Sequence, residues 1–142
     1  MYGVESLCAT VMLKGSDHHL AADELAEMDD VCAAVEKCIA ARDTAAVVEL
    51  NTQFHELIAK ASRNRWIREF LASIKAQTRR LYRTSLERTE RAVESAAEHR
   101  LVLRALRVGN AERAEALGRQ HILRAREAAI AAGASGGRPK EF

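Results

Sequence analysis

The sequence predicts an all-α fold, an antiparallel bundle or array of about six helices around a central cavity, and three observations carry that prediction. Ala, Leu, Glu and Arg dominate, aromatic residues make up 4% and proline occurs once, a composition rich in strong helix formers. Apolar residues recur at the three- and four-residue spacing of amphipathic helices along most of the chain. The periodic segments are joined by short polar or glycine-containing connections, which favour antiparallel neighbours. At 142 residues the chain is one domain's worth. That domain is expected over 1–132, with a disordered tail over 133–142 where Gly133, Gly136, Gly137, Pro139 and Lys140 end the periodicity.

Taken in order, Val4, Leu7, Cys8, Val11 and Met12 mark a first helix over about 2–14, stopped at Gly15. Gly15 to His19 forms a polar connection in which His18 and His19, being adjacent, read as solvated. Leu25, Met28, Cys32, Val35, Cys38 and Ile39 mark a second helix to about Ala41. Asp43 suits the N-cap of a third over about 44–61, because its carboxylate can accept from the first free backbone amides. Ser62-Arg63-Asn64 breaks it. Asn64 caps a fourth helix expected to bury Trp66, Ile67, Phe70, Leu71, Ile74, Leu81 and Tyr82. Thr84 to Glu87 has capping-box spacing, and Thr89 could equally start the fifth helix, whose stripe is Ala92, Ala96, His99, Leu103 and Leu106. After the stop and start at Gly109-Asn110, a sixth helix aligns Ala114, Leu117, His121, Ala125 and Ala128.

Charge and cysteine usage exclude several functions. The 22 basic and 20 acidic residues are interspersed, so the chain alone presents no field for a polyanion such as nucleic acid. No secretory leader is visible and no run approaches the roughly 18 apolar residues of a membrane span, which leads us to expect a soluble cytoplasmic protein without membrane partners. Cys8, Cys32 and Cys38 are odd in number, lack CxxC spacing and fall on apolar faces, so they read as core residues.

One polar pair interrupts this pattern. Asn51 and His55 are four residues apart and share a helix face with Val47, Leu50, Phe54 and Ile58. An unpaired buried polar group costs roughly 1–3 kcal/mol, so the pair needs partners or a ligand. His99 and His121 likewise fall on the apolar stripes of two other helices. A single inward histidine is commonly a satisfied core residue, but three from separate helices, with an oxygen donor one turn before one of them, suit a transition-metal site.

The same residues carry a family resemblance. Asn51-Thr52-Gln53-Phe54-His55, Ala61-Ser62-Arg63-Asn64, Glu98-His99, Gly109-Asn110 and His121-Ile122 occur in that order, with His99 44 residues after His55 and His121 22 after His99. The set resembles the FCD domain, the C-terminal effector-binding domain of the FadR subfamily of GntR-type bacterial transcription regulators, over about residues 2–130. The resemblance implies a divalent metal, zinc or nickel, on Asn51, His55, His99 and His121, and a small organic acid effector bound at its open positions. It also implies a homodimer that reaches DNA only through a winged helix-turn-helix domain, which these 142 residues do not contain. Asn51 stands where the family commonly has aspartate, so its donor would be a neutral carbonyl, leaving the site one unit more positive and favouring an anionic effector. Thr78, Arg79 and Arg83 are the candidate effector contacts, since a guanidinium facing the cavity could hold a carboxylate bidentately. Tyr82 and Trp66 read as core and Asn64 as a cap.

Two other functions compete with the sensor. A metal-free dimerisation module would leave Asn51 and the histidines to satisfy one another. A metal-dependent hydrolase would need a general base, and Glu98 and Glu56, each adjacent to a histidine, are expected to turn away from it. No catalytic residue is therefore expected.

Overall fold

The computed structural model describes residues 20–61 and 63–135. Among them six helices follow one another: α1 (Ala22–Ala40), α2 (Thr44–Ala61), α3 (Arg65–Ser73), α4 (Lys75–Ser85), α5 (Thr89–Arg107) and α6 (Ala111–Ser135), with no strand. The all-α class is as expected. The helix expected over 2–14, Cys8, the His18-His19 connection and residues 136–142 lie outside the described residues.

Local chemistry accounts for the boundaries. Asp43 Oδ1 accepts from the Ala46 amide at 3.1 Å, and Asn64 Oδ1 accepts from Trp66 and Ile67 at 3.0 and 3.2 Å. Asn110 Oδ1 accepts from Arg113 at 3.0 Å, so all three caps form as the sequence suggests. At the end of α5, Gly109 adopts φ 73°, and the amides of Gly109 and Asn110 bond back to Leu106 and Ala105. This double return is the helix stop for which glycine is favoured. Arg42 ends α1 with the same pattern at φ 56°.

Three expectations need correction. The fourth helix is two helices, broken at Ile74, where φ −105° and ψ 8° leave the helical range. The break turns α3 outward: it buries no residue, and Trp66 and Phe70 are 75% and 39% exposed rather than core. The Thr84 capping box does not form, because Thr84 and Ser85 still belong to α4 and their hydroxyls donate to the carbonyls of Arg80 and Tyr82. Finally, α6 runs through Gly133 to Ser135, three residues past the expected domain end. A helical glycine costs only about 1 kcal/mol, too little to stop a long helix.

The core lies between α1, α2, α5 and α6, where Phe54, Met28 and Leu103 are the largest fully buried side chains. Helix α5 packs on both α6 and α1, α2 on α1, and α4 on α6 and α2, while α3 rests on α2 and α4. Arg100 fastens α5 to α1, donating to Glu36 at 2.8 and 3.2 Å and to Asp29 at 2.5 Å. Cys32 is buried and Cys38 half-buried, both unpaired as disulfides. Burial pushes the Cys32 thiol up to about 11, so it serves as a small apolar group and not as a thiolate ligand.

Candidate metal centre

Helix α2 carries Asn51 and His55 one turn apart; Asn51 is 3% exposed and His55 half-buried. Helices α5 and α6 supply His99 and His121, both buried. The fold brings the three rings together: His121 Nε2 stands 3.1 Å from His99 Nε2 and 3.3 Å from His55 Nε2. One ligand atom from each ring lies within 4.8 Å of the other two. An ion that holds imidazole nitrogens at about 2.0–2.1 Å keeps two of them roughly 2.8–3.4 Å apart, from cis-octahedral to tetrahedral geometry. The two shorter separations fall in that range.

The rings are held by their neighbours. Phe54 stacks on His99 at 4.2 Å between centroids, and Tyr82 stacks on His55 at 5.1 Å. Burial, then the neighbouring His121, pushes His55 down to about 3. Burial and the two other rings hold His99 well below the ordinary histidine range. Both imidazoles are therefore neutral at neutral pH, the form that ligates metals.

Glu98 is the residue that the sequence reading set aside and the structure restores. It does turn from His99, but it lies on the α5 face that meets α6, where its Oε2 accepts from His121 Nδ1 at 2.5 Å. Burial would raise its pKa; hydrogen bonds from His121 and Arg91 outweigh burial and bring it down to about 2. An ionised carboxylate only accepts, so His121 carries a proton on Nδ1 and turns its Nε2 toward the other two rings. Arg91 and Glu98, seven residues apart, share one helix face, and that spacing was the available signal.

Beside His55 opens a cavity of about 360 Å³ between α2, α3, α4 and α6. Thr52, His55, Thr78 and Tyr82 line it, and Lys60, Arg68 and Lys75 contribute cations. Thr78 thus faces the cavity, whereas Arg79 pairs with Glu49 at the surface and Arg83 is exposed, and neither lines it. Arg68 and Lys75 were missed, although Arg68, Leu71, Lys75, Thr78 and Tyr82 follow one another at steps of three and four. The stripe survives the break at Ile74. Glu56, expected to turn from His55, also lines the cavity and pairs with Lys75 at 2.7 Å. No described helix is long and apolar enough to cross a membrane.

The FCD domain model matches residues 4–124, a span that contains all three histidines and Glu98. The chain belongs to the FCD domain family. As an FCD domain it is an effector-binding regulatory module, and its histidine cluster can hold a metal ion. No curated protein matches the sequence.

Proposed function

We propose that this FCD domain is the ligand-sensing part of a GntR/FadR-type transcription regulator, which holds zinc or nickel on His55, His99 and His121 with Asn51 as an oxygen donor. A small carboxylate effector occupies the remaining positions of the ion, and the homodimer passes its occupancy to winged helix-turn-helix domains on DNA in the cytoplasm. The observation that carries this reading is the convergence of the three Nε2 atoms, with separations of 3.1 and 3.3 Å at His121.

The donor set supports the anionic effector. Three neutral imidazoles and an amide oxygen leave a divalent ion its full charge, and such an ion offers a carboxylate a Lewis-acidic partner. Arg68 and Lys60 on the cavity wall add positive charge where the rest of the effector would lie. Catalysis is disfavoured by the same geometry: Glu98 is held by Arg91, Arg124 and His121, and Glu56 by Lys75. Neither carboxylate is free to act as a general base.

One observation favours the metal-free module, since 3.1 and 3.3 Å are also hydrogen-bond distances. With Nδ1 of His121 donating to Glu98, that reading requires His55 and His99 both to donate into one Nε2 lone pair, or His121 to hold a second proton that its Nε2 can direct at only one of them. A metal fits better. Protein purified without nickel resin and analysed by mass spectrometry should carry about one transition ion per chain. His121→Ala should lose that ion and the thermal stabilisation that a panel of small mono-, di- and tricarboxylates gives the wild type. Unchanged stabilisation in the mutant would refute metal-mediated effector binding.

A further inference from the structure

Glu98 is buried at 8% exposure and held four times. Arg91 Nη1 and Nη2 donate to its two oxygens at 2.9 and 2.8 Å, Arg124 Nη1 at 3.1 Å, and His121 Nδ1 at 2.5 Å. Buried ion pairs are poor stabilisers, because losing water offsets most of the attraction and an apolar pair of similar volume serves as well or better. Arg91, itself 7% exposed, also leaves its Nε without a hydrogen-bond partner, a second cost that packing alone does not explain. An arrangement this unfavourable for stability is better explained by what it orients.

We infer that Arg91 and Glu98 are positioning residues for the metal site, clamping His121 through its Nδ1 so that its Nε2 is aimed where His55 and His99 converge. The inference rests on the reading of these histidines as metal ligands. His121 is the middle ring of the three, the one whose Nε2 lies near both others, at 3.1 and 3.3 Å. A turn of this ring, or a change of tautomer, moves the nitrogen that both partners face. Phe54 and Tyr82 fix the ring planes of His99 and His55 by stacking, but stacking does not choose which nitrogen carries the proton. Only His121 has a buried carboxylate to do so among the described residues.

The roles within the clamp differ. Glu98 makes the bond to His121, and the Arg91 fork holds the carboxylate plane so that Oε2 faces the ring. Arg124 is half-exposed and reaches Oε1, the oxygen that does not touch His121. Removing it should matter least. Partners of this kind set ligand orientation and basicity, and their loss weakens metal affinity about tenfold to a hundredfold.

Two measurements test the clamp. In metal-free wild-type protein, nitrogen-15 spectra of the histidine rings should show His121 protonated at Nδ1; protonation at Nε2 overturns the inference. The double variant Arg91→Met with Glu98→Leu replaces the ion pair by an apolar pair and should keep the metal-free melting temperature. Its affinity for Zn²⁺ in competition with a chromogenic chelator should fall about tenfold to a hundredfold. Arg91→Met with Glu98→Gln, which keeps an acceptor oxygen for Nδ1, should recover most of that loss. A leucine variant that binds Zn²⁺ within twofold of wild type overturns the clamp and leaves the metal site standing. Wild-type protein that takes up no Zn²⁺ and no Ni²⁺ overturns the metal reading itself, and the clamp's purpose with it. Should the leucine variant fail to fold, the ring tautomer in the wild type decides.

Discussion

On the α5–α6 side of the site, His99, His121 and Glu98 are all buried and bonded to one another, whereas across the cavity α3 buries no residue and Arg68 and Lys75 reach solvent. The two sides are suited to different tasks. A buried, mutually fixed set of donors holds one geometry, as a metal ion of defined radius requires. A wall of long cationic side chains around about 360 Å³ can adjust to acids of different shape. The contrast also orders the expected effects of mutation, which should be large on the buried side and small across the cavity.

The largest effect should come from Phe54→Ala. Phe54 is 1% exposed and forms the floor under His99, with ring centroids 4.2 Å apart. Truncating a core phenylalanine costs about 3–5 kcal/mol, measurable by urea unfolding, and metal affinity should drop with the support of the His99 ring. A loss below about 1 kcal/mol would show that this side is not packed as described.

Next in size is the response to acid. His55, with a folded pKa of about 3 against 6.5 in the unfolded chain, is penalised for taking a proton only while folded. Its contribution to stability is complete above about pH 6.5 and is lost as pH falls toward about 3; His99, also depressed, acts in the same direction. Glu98, at about 2 folded against 4.5 unfolded, adds stability that is present above its unfolded value and lost on the way down to about 2. The melting temperature of the metal-free protein should therefore fall steadily below about pH 6.5, with an added loss below about pH 4.5. A flat profile between those values would contradict the neutral His55 and His99.

The cavity wall should show smaller effects. Arg68→Gln removes a cation that lines the cavity, and a hydrogen bond to a charged group is worth about 1.5 kcal/mol or less where solvent shares it. Calorimetric titration with a carboxylate effector should therefore show about a tenfold weaker Kd, while Arg79→Gln and Arg83→Gln leave it unchanged. Equal losses from all three would place Arg79 and Arg83 at the effector together with Arg68.

How far the sequence could be read follows the same division. The α2, α5 and α6 histidines could be placed from spacing because each belongs to a long helix whose period is uninterrupted, and the Asp43, Asn64 and Asn110 caps depend only on neighbouring residues. Glu98 could not be placed so simply. Periodicity on α5 shows that it points away from His99, but its partner His121 belongs to another helix, and the pairing exists only once α5 and α6 pack. The break at Ile74 had no glycine or proline to announce it. Without the break, Trp66 and Phe70 read as core, whereas Arg68 lies on a stripe that the break leaves intact. Asn51 was predicted to be inward and is buried.

The smallest effect should belong to Trp66→Ala, which is informative because tryptophan truncation usually ranks among the most damaging changes. Trp66 is 75% exposed, and the Arg65 guanidinium lies over its ring at 5.8 Å. Little apolar area is recovered from water there, and an exposed cation–π contact is worth about 0.5–1 kcal/mol. Unfolding of Trp66→Ala should therefore differ from wild type by less than about 1 kcal/mol, and effector affinity should not change. A loss near the 3–5 kcal/mol expected of a buried aromatic would mean that the outer face of α3 is covered in the folded protein. The cavity wall would then be as fixed as the metal side, and its proposed tolerance for different acids would have to be abandoned.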